Sequence, residues 1–281
     1  TAWHQIGSEI QGVSSYGMGD AFGNSVSMSN DGSRMVVGAP TLNIYNNMAD
    51  DGSVRIFDVS SGSWTQMGAT INGADGARLG ICVSMSGDGT RVVASAPAET
   101  NVVGGSGAGV LRVYDYVAGS WTLMSGGEIL GAVGSAWLGE RVVISGDGNT
   151  IAATFMYPSC GAALYVYSSG SWSQLGTTFT STTNSCWDTN SVALSDDGRV
   201  FAFGEGHHLS RAGRVTVHAY SSGSWSQMGQ EITIGSSSTG LFGAALSISS
   251  DGTRLAIGAP EYYNTHSNTG HVRVYEYSSG T

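Results

Sequence analysis

The chain has 281 residues, a formal net charge of −10 and only 11% charged side chains, and all eleven of its basic residues are arginine. This acidic balance argues against nucleic acid as a partner. No apolar run approaches the roughly 18 residues of a membrane-spanning segment, so we expect no direct membrane insertion. A hydroxyl-rich surface without lysine favours a secreted protein or one packed into an assembly. No signal peptide precedes the first strand, so we expect a removed leader or an excised module of a larger protein.

The first predicted element is a β-hairpin over Phe22–Pro40. An alternating stretch, Ser25–Ser29, and an apolar run, Met35–Val37, flank an Asp31-Gly32 turn, which is a strong hairpin signal. The same hairpin returns four times, with 50 to 59 residues between successive turn glycines, and a period of that size indicates a repeat protein. The turn glycines are Gly32, Gly89, Gly148, Gly198 and Gly252.

A second hairpin follows each first one, as in Gly52–Trp64, and leads into a strand of the form W-x-Q-x-G-x-x-I, as in Trp64–Ile71. Each repeat therefore contains four antiparallel strands. The fifth repeat stops at Thr281, before its Trp strand, and Trp3–Ile10 carries that motif at the other end of the chain. We therefore predict an all-β, five-bladed β-propeller in which the N-terminal strand completes the last blade and closes the ring. The single predicted domain, 1–281, has blades at about 24–72, 81–130, 140–180, 190–234 and 244–281 plus 1–10.

The ends of the first hairpin, Phe22-Gly23 and Gly38-Ala39-Pro40, resemble the FG-GAP repeat, the unit of the integrin α-subunit propeller. The fifth repeat carries both ends of the motif, and the second repeat is a near match, whereas the third and fourth lose Gly-Ala-Pro. The fuller pattern is similar to repeats in predicted secreted or surface proteins of microalgae and marine bacteria. The resemblance implies a propeller, a fold that serves lectins, adhesion modules and hydrolases alike.

The turn aspartates are the obvious candidates for metal ligands. FG-GAP repeats that bind calcium carry a D-x-D-x-D-G loop, because Ca²⁺ takes six to eight oxygen ligands. Here each turn has only one or two carboxylates, as in Asn30-Asp31-Gly32 and Asp196-Asp197-Gly198. We therefore expect these aspartates to accept local backbone hydrogen bonds, and we predict no metal and no cofactor.

Two kinds of side-chain pair are predicted from the repeat. An arginine begins the second strand and an acid ends the third in repeats one, two and five, and both partners disappear together in repeats three and four. Antiparallel pairing should bring each arginine beside its acid. The predicted structural ion pairs are Arg34–Asp58, Arg91–Asp115 and Arg254–Glu276.

The cysteines suggest where the protein works. Cys82 lies in a predicted inner strand and is expected to be a buried free thiol. Cys160 and Cys186 precede strands of neighbouring blades on the same predicted face, so a disulfide between them is geometrically feasible. The alternative is that they are two unrelated small residues. A disulfide would place the protein outside a reducing cytosol.

The loops between the second and third strands differ from repeat to repeat and carry aromatic, amide and acidic residues. Such a set is typical of sugar recognition, although loops also vary when nothing constrains them. A metal site at His207 and His208 with Glu205 or His266 is less favoured, because adjacent histidines usually point apart. The candidate ligand-binding residues are Tyr45, Asn46, Asp50, His207, His208, Tyr262, Tyr263 and His266.

The predicted inner strands offer little for catalysis. Five-bladed glycoside hydrolases place several carboxylates around the channel, whereas here Glu140 stands beside Arg141 alone. His4, His218 and His271 lie in predicted strands, so a Ser-His-Asp arrangement finds no support. We therefore predict no catalytic residues and a non-enzymatic extracellular structural or adhesive module, part of a larger surface protein or filament. Its expected partners are other protein modules, copies of itself or glycans. The alternative is a carbohydrate-binding propeller with sites on the loop face, and the third hypothesis is a glycoside hydrolase-like enzyme.

Overall fold

The structure is a computed structural model that describes residues 2–15, 18–41, 50–181, 190–234, 240–261 and 269–278. These residues form 24 strands and one helical turn of four residues, and the strands build antiparallel sheets that follow one another along the chain. The predicted all-β fold with five propeller blades is therefore confirmed.

A two-stranded hairpin, β1 (Ser14–Ser15) and β2 (Met18–Gly19), comes before the blades. Blade one consists of β3 (Ser25–Met28), β4 (Arg34–Ala39), β5 (Ser53–Ser60), β6 (Ser63–Gln66) and β7 (Ile71–Asn72). Blade two consists of β8 (Val83–Met85), β9 (Arg91–Ala96), β10 (Val110–Val117) and β11 (Ser120–Leu130). Blade three consists of β12 (Val142–Ile144), β13 (Thr150–Phe155), β14 (Gly161–Ser168), β15 (Ser171–Gln174) and β16 (Phe179–Thr180). Blade four consists of β17 (Asn190–Leu194), β18 (Val200–Glu205), the helical turn α1 (His208–Arg211), β19 (Arg214–Ser221), β20 (Ser224–Gln227) and β21 (Ile232–Thr233). Blade five consists of β22 (Ala245–Ile248), β23 (Arg254–Ala259) and β24 (His271–Glu276).

The contacts of the chain divide it into two compact units, 1–142 with 170–172 and 143–169 with 173–281. The first unit holds blades one and two, and the second holds most of blade three with blades four and five. The assignment of residues 1–281 to a single domain stays a prediction.

Each first hairpin is closed by the same hydrogen-bonded turn. In blade one, the Ser29 hydroxyl donates to Asp31 Oδ1 at 2.7 Å and accepts from the Arg34 backbone N–H at 3.0 Å. Asp31 Oδ1 also accepts from the Ser33 backbone N–H at 2.9 Å. The aspartates at the other four turns, Asp88, Asp147, Asp197 and Asp251, accept the same pair of bonds. These carboxylates therefore accept local hydrogen bonds that stabilise the turns, as the sequence predicts.

The glycines of the FG-GAP pattern lie where the backbones of neighbouring blades meet. A Cβ atom on Gly38 would lie 2.0 Å from the carbonyl oxygen of Gly80, and one on Gly204 would lie 2.1 Å from that of Gly243. No side chain fits at such a distance. The residues before the second glycine of each pair, Leu79 and Phe242, are fully buried in the hydrophobic core. The motif thus combines a buried apolar anchor with a close backbone contact.

The N-terminal segment differs from the expectation. Residues 2–10 form no strand, so His4 does not lie in one, and the described part of blade five contains three strands, β22 to β24. The segment lies instead beside the outer hairpin of blade one, where a Cβ atom on Gly7 would be 3.1 Å from Ser63 Cα. The pairing of residues 1–10 with blade five therefore stays a prediction.

Candidate functional site

Charged side chains gather at the start of the third strand in blades one, two and four. Arg55 and Arg112 occupy the same position of β5 and β10, and Arg214 lies two residues earlier in β19, which places it on the same face of its strand. Each of the three arginines lies beside at least one carboxylate. We call these three groups the arginine clusters.

In blade one, Arg55 stacks on an aromatic ring. Its guanidinium carbon lies 3.8 Å from the ring centroid of Phe22, and its Nη2 lies 3.7 Å from Asp20 Oδ2. Asp20 is buried and accepts hydrogen bonds from the backbone N–H groups of Val13 and Phe22 at 2.9 and 3.1 Å. Burial lowers the pKa of Arg55, and Asp20 opposes that effect. The cluster thus fixes Phe22 of the FG pair to the segment before it.

In blade two, Arg112 binds two acids. Its Nη1 and Nη2 donate to the two carboxylate oxygens of Glu99 at 2.6 Å each, and its Nε donates to Glu128 at 2.9 Å. The hydrogen bonds that Arg112 donates to Glu99 are the main reason why the pKa of Arg112 is raised. Bidentate pairs of this kind fix both planar groups in one orientation.

In blade four, Arg214 binds Glu205, and its Nη1 lies 3.4 Å from Glu231. Glu205 ends β18 and is only 1% exposed, and Arg214 begins β19 directly opposite it in the antiparallel register. Two competing effects act on the pKa of Arg214: burial lowers it, and the hydrogen bond to Glu205 raises it, with a net rise. A buried carboxylate must have such a partner, because an isolated charge would be too costly to desolvate.

His207 and His208 lie beside this third cluster. The chain reverses here through left-handed residues, with φ of 47°, 56° and 79° at Leu209, Ser210 and Arg211. Burial and the nearby Arg214 lower the pKa of His208, which favours its neutral imidazole, and Glu205 and Glu231 oppose that effect. Within the described ranges, no three His, Cys, Asp or Glu side chains come together as a metal site.

The other predicted ligand-binding residues are not assembled into one site. Asp50 lies 3.8 Å from Arg78 Nε at the edge of blade one. Tyr45, Asn46, Tyr262, Tyr263 and His266 lie outside the described residues. The sugar-binding loop face therefore stays a prediction.

The three cross-strand pairs lie at the predicted positions. Each arginine is the direct register partner of its acid, and the closest nitrogen–oxygen distances are 3.4, 2.7 and 2.9 Å in blades one, two and five. Arg254 and Glu276 are the most exposed of these pairs, with about two thirds of each side chain in solvent. Such a pair adds little stability.

The cysteines and the inner-strand pair have the following contacts. Cys82 is a free thiol whose Sγ accepts from the Val142 backbone N–H at 3.3 Å, and burial raises its pKa.

Cys160 is buried and disulfide-bonded, and Cys186 lies outside the described residues, so the predicted pairing stays a prediction. Arg141 Nη1 donates to the backbone oxygen of Glu140 at 3.1 Å.

The arginine clusters were not predicted. Their members are separated in sequence by 9 to 35 residues, as Glu205 is from Arg214 and Asp20 from Arg55. A signal was available in blade four, where an acid ends the second strand and an arginine begins the third. The predicted cross-strand pairs join the start of the second strand to the end of the third. Glu205 and Arg214 are also register partners, but they join the end of the second strand to the start of the third.

Comparison with known proteins gives a repeat match for one segment of the chain and a fold for most of it. Residues 14–57 match the FG-GAP repeat. Among solved structures, the chain is similar to TolB from Acinetobacter baumannii, with a TM-score of 0.50 and 16% identity over 90% of this chain and 51% of that chain. The chain thus spans about half the length of that structure, and at this identity the likeness shows the fold alone. A search of curated proteins gave no match. The chain is therefore a β-propeller in which residues 14–57 match the FG-GAP repeat.

Proposed function

We propose that the chain is a non-enzymatic extracellular module with a structural or adhesive role in a larger surface protein or filament. The observation that carries the proposal is the pairing of buried or half-buried carboxylates at the strand ends. Among the described residues, Asp20, Glu99 and Glu205 each lie beside an arginine.

The chemistry of the arginine clusters supports a structural role. The carboxylates of Asp20, Glu99 and Glu205 each bind an arginine that crosses to a neighbouring strand or segment. Paired in this way, they hold strand ends in place. General acid–base catalysis instead uses a carboxyl whose proton is exchanged with a substrate. The FG-GAP repeat at residues 14–57 supports the same role through its resemblance to the integrin α-subunit propeller. No helix in the described part of the chain is long and apolar enough to cross a membrane.

An adhesion assay with two control arms tests this function. Beads coated with the full chain are presented to immobilised proteins, including the chain itself, and to a glycan array. The soluble chain is incubated with chromogenic glycosides and esters. We expect attachment to protein surfaces and no turnover. Turnover of a substrate would overturn the proposal. Attachment to glycans alone, reduced by Asp50→Ala or His208→Ala, would replace it with the carbohydrate-binding alternative.

A further inference from the structure

We propose that the joint between blades three and four is an acid-sensitive latch, which loosens when His218 of β19 takes up a proton. We define this joint by four side chains that meet between the two blades, Phe179, Phe201, His218 and Trp225. All four belong to the second compact unit of the chain. The proposal does not depend on the proposed adhesive role, so either can fail without the other.

Trp225 of β20 ties blade four to blade three. Its Nε1 donates to the backbone oxygen of Leu175 at 3.1 Å, and its ring lies 6.2 Å from that of Phe179, which belongs to β16 of blade three. Trp225 and Phe179 pack against a buried cluster that contains Leu164 of blade three and Phe201 of blade four. Apolar burial therefore holds the two blades together.

His218 lies within this aromatic contact. Its ring centroid is 4.6 Å from that of Phe179 and 6.4 Å from that of Phe201, which is its direct register partner on β18. Its Nε2 lies 3.0 Å from the hydroxyl of Thr216, on the same face of β19. Its register partner on β20 is Gln227. The imidazole thus packs directly against blade three.

The other four blades place a tyrosine or a phenylalanine at the position of His218. The residue opposite on the second strand is then aliphatic or methionine, whereas in blade four it is Phe201. The four pairs are Met35–Phe57, Val92–Tyr114, Ile151–Tyr165 and Leu255–Tyr275. A larger partner thus accompanies a smaller ring, which keeps the volume of the pair similar. Blade four therefore fills this position with a ring of the type that can take up a proton near neutral pH.

Protonation makes this ring a poorer fit to the joint. The imidazolium carries a charge and a second N–H, and a mainly apolar surrounding solvates both poorly. Burial lowers the pKa of His218, and no charged side chain of the described residues contributes to that shift. Attraction between a cation and the aromatic faces acts in the opposite sense, but burial is the larger effect. The charged ring is better solvated outside the joint, and Phe179 then loses its neighbour.

The joint should therefore weaken as the pH falls below neutrality. A histidine whose pKa is lower in the folded state than its unfolded value of 6.5 stabilises the fold above that value. This stabilisation is lost as the pH falls through the folded pKa. The turn aspartates Asp31 and Asp251 titrate at lower pH, between 3.8 and about 2. The two effects can therefore be measured separately.

Thermal melts of matched variants between about pH 7.5 and about pH 5 test the proposal. Phe201→Val/His218→Tyr carries the Val92–Tyr114 pair of blade two, so it removes the imidazole and retains a pair that the repeat already packs. Phe201→Val alone is the matched control, because it changes the packing and keeps the histidine. His218→Gln is a second variant without the titrating ring, should the double variant not fold. We expect the melting temperature of the parent and of the control to fall by about 2 °C or more over this range, and that of both His218 variants to fall less.

Hydrogen exchange of the parent chain shows where the fold opens. After correction for the intrinsic pH dependence of exchange, we expect the amides of β16 and β20 to exchange faster at about pH 5 than at about pH 7.5. Those of β7 and β11, at the equivalent joint between blades one and two, should not change. Equal acceleration at both joints, or none at β16 and β20, would overturn the proposal. So would a parent chain whose melting temperature does not fall over this range, or His218 variants that keep the full pH dependence.

Discussion

At the scale of single residues, carboxylate side chains have different roles according to their burial. The turn aspartates are solvated acceptors of local hydrogen bonds, whereas Glu205 is a buried carboxylate bound to Arg214. The pKa of Asp31 and of Asp251 is lowered to about 2, chiefly by hydrogen bonds from Ser33 and Ser249 respectively. Their ionised forms are therefore preferred in the folded state.

These shifts predict how stability depends on pH. A group whose pKa falls from 3.8 to about 2 on folding stabilises the protein above the unfolded value, and this stability is lost as the pH drops through the folded value. We expect the melting temperature to fall between about pH 4 and about pH 2. The Asp31→Asn/Asp251→Asn variant, which keeps an acceptor oxygen without the charge, should lose less over that range. An unchanged slope in thermal melts would contradict this assignment.

Burial also predicts that replacing two different arginines will lower the free energy of unfolding by unequal amounts. Arg214→Met removes the guanidinium bound to a carboxylate that is 1% exposed, and we expect a loss of about 3 kcal/mol or more in the free energy of unfolding. Arg254→Met breaks a pair whose side chains are 67% and 64% exposed, and it should cost about 1 kcal/mol or less. Urea unfolding of both variants measures the difference. Equal losses would show that burial does not set the cost.

At the scale of elements, glycine positions decide how closely strands approach. Gly52 precedes β5 with φ of 78°, and a Cβ there would lie 2.2 Å from Leu79 O. Gly62 has nearly the same φ, 76°, with no atom within 4 Å of that Cβ position. The two differ only in their surroundings.

Alanine at these two sites should separate strain from crowding. Gly62→Ala carries only the left-handed backbone strain, about 1 kcal/mol. Gly52→Ala carries the same strain and also pushes the chain away from Leu79, adding roughly 1–3 kcal/mol. Thermal or urea unfolding provides the measurement. A Gly52→Ala protein as stable as Gly62→Ala would mean that the close approach is not required.

At the scale of the whole molecule, we expect chelation to leave the fold unchanged. All five turn aspartates already accept hydrogen bonds from Ser, Thr, Asn or Arg neighbours, and calcium requires six to eight oxygens. Melting curves with and without EDTA should agree within about 2 °C. A larger shift would reveal a site that contributes to stability.

Reduction of the disulfide, unlike chelation, should lower the thermal stability of the protein. Cys160 is disulfide-bonded, and a bridge to Cys186 would close a loop of about 25 residues, worth roughly 3 kcal/mol in the chain-entropy account. Dithiothreitol should therefore lower the melting temperature of the parent chain and of Cys82→Ser, which changes only the free thiol. Cys160→Ser should no longer respond. A parent chain insensitive to reductant would remove the chemical argument for an extracellular location.

Local features of the chain were predictable from the sequence alone. Strand alternation, Asp-Gly turns and repeat spacing depend on neighbouring residues, and they led to five blades and to the Arg34–Asp58 type of pair. That pair was predictable because antiparallel register follows directly from a hairpin turn. The FG-GAP resemblance rested equally on short motifs, Phe22-Gly23 and Gly38-Ala39-Pro40.

Only the tertiary structure decided what happens between sheets. The approach of Gly38 to Gly80 and the arginine clusters join residues of different strands or blades whose distance no periodicity fixes. The N-terminal motif illustrates the limit. Its sequence is that of an outer strand, but the sheet edge it pairs with depends on packing between surfaces far apart in the chain. Pattern determines which strand a segment can become, and three-dimensional packing determines which edge receives it.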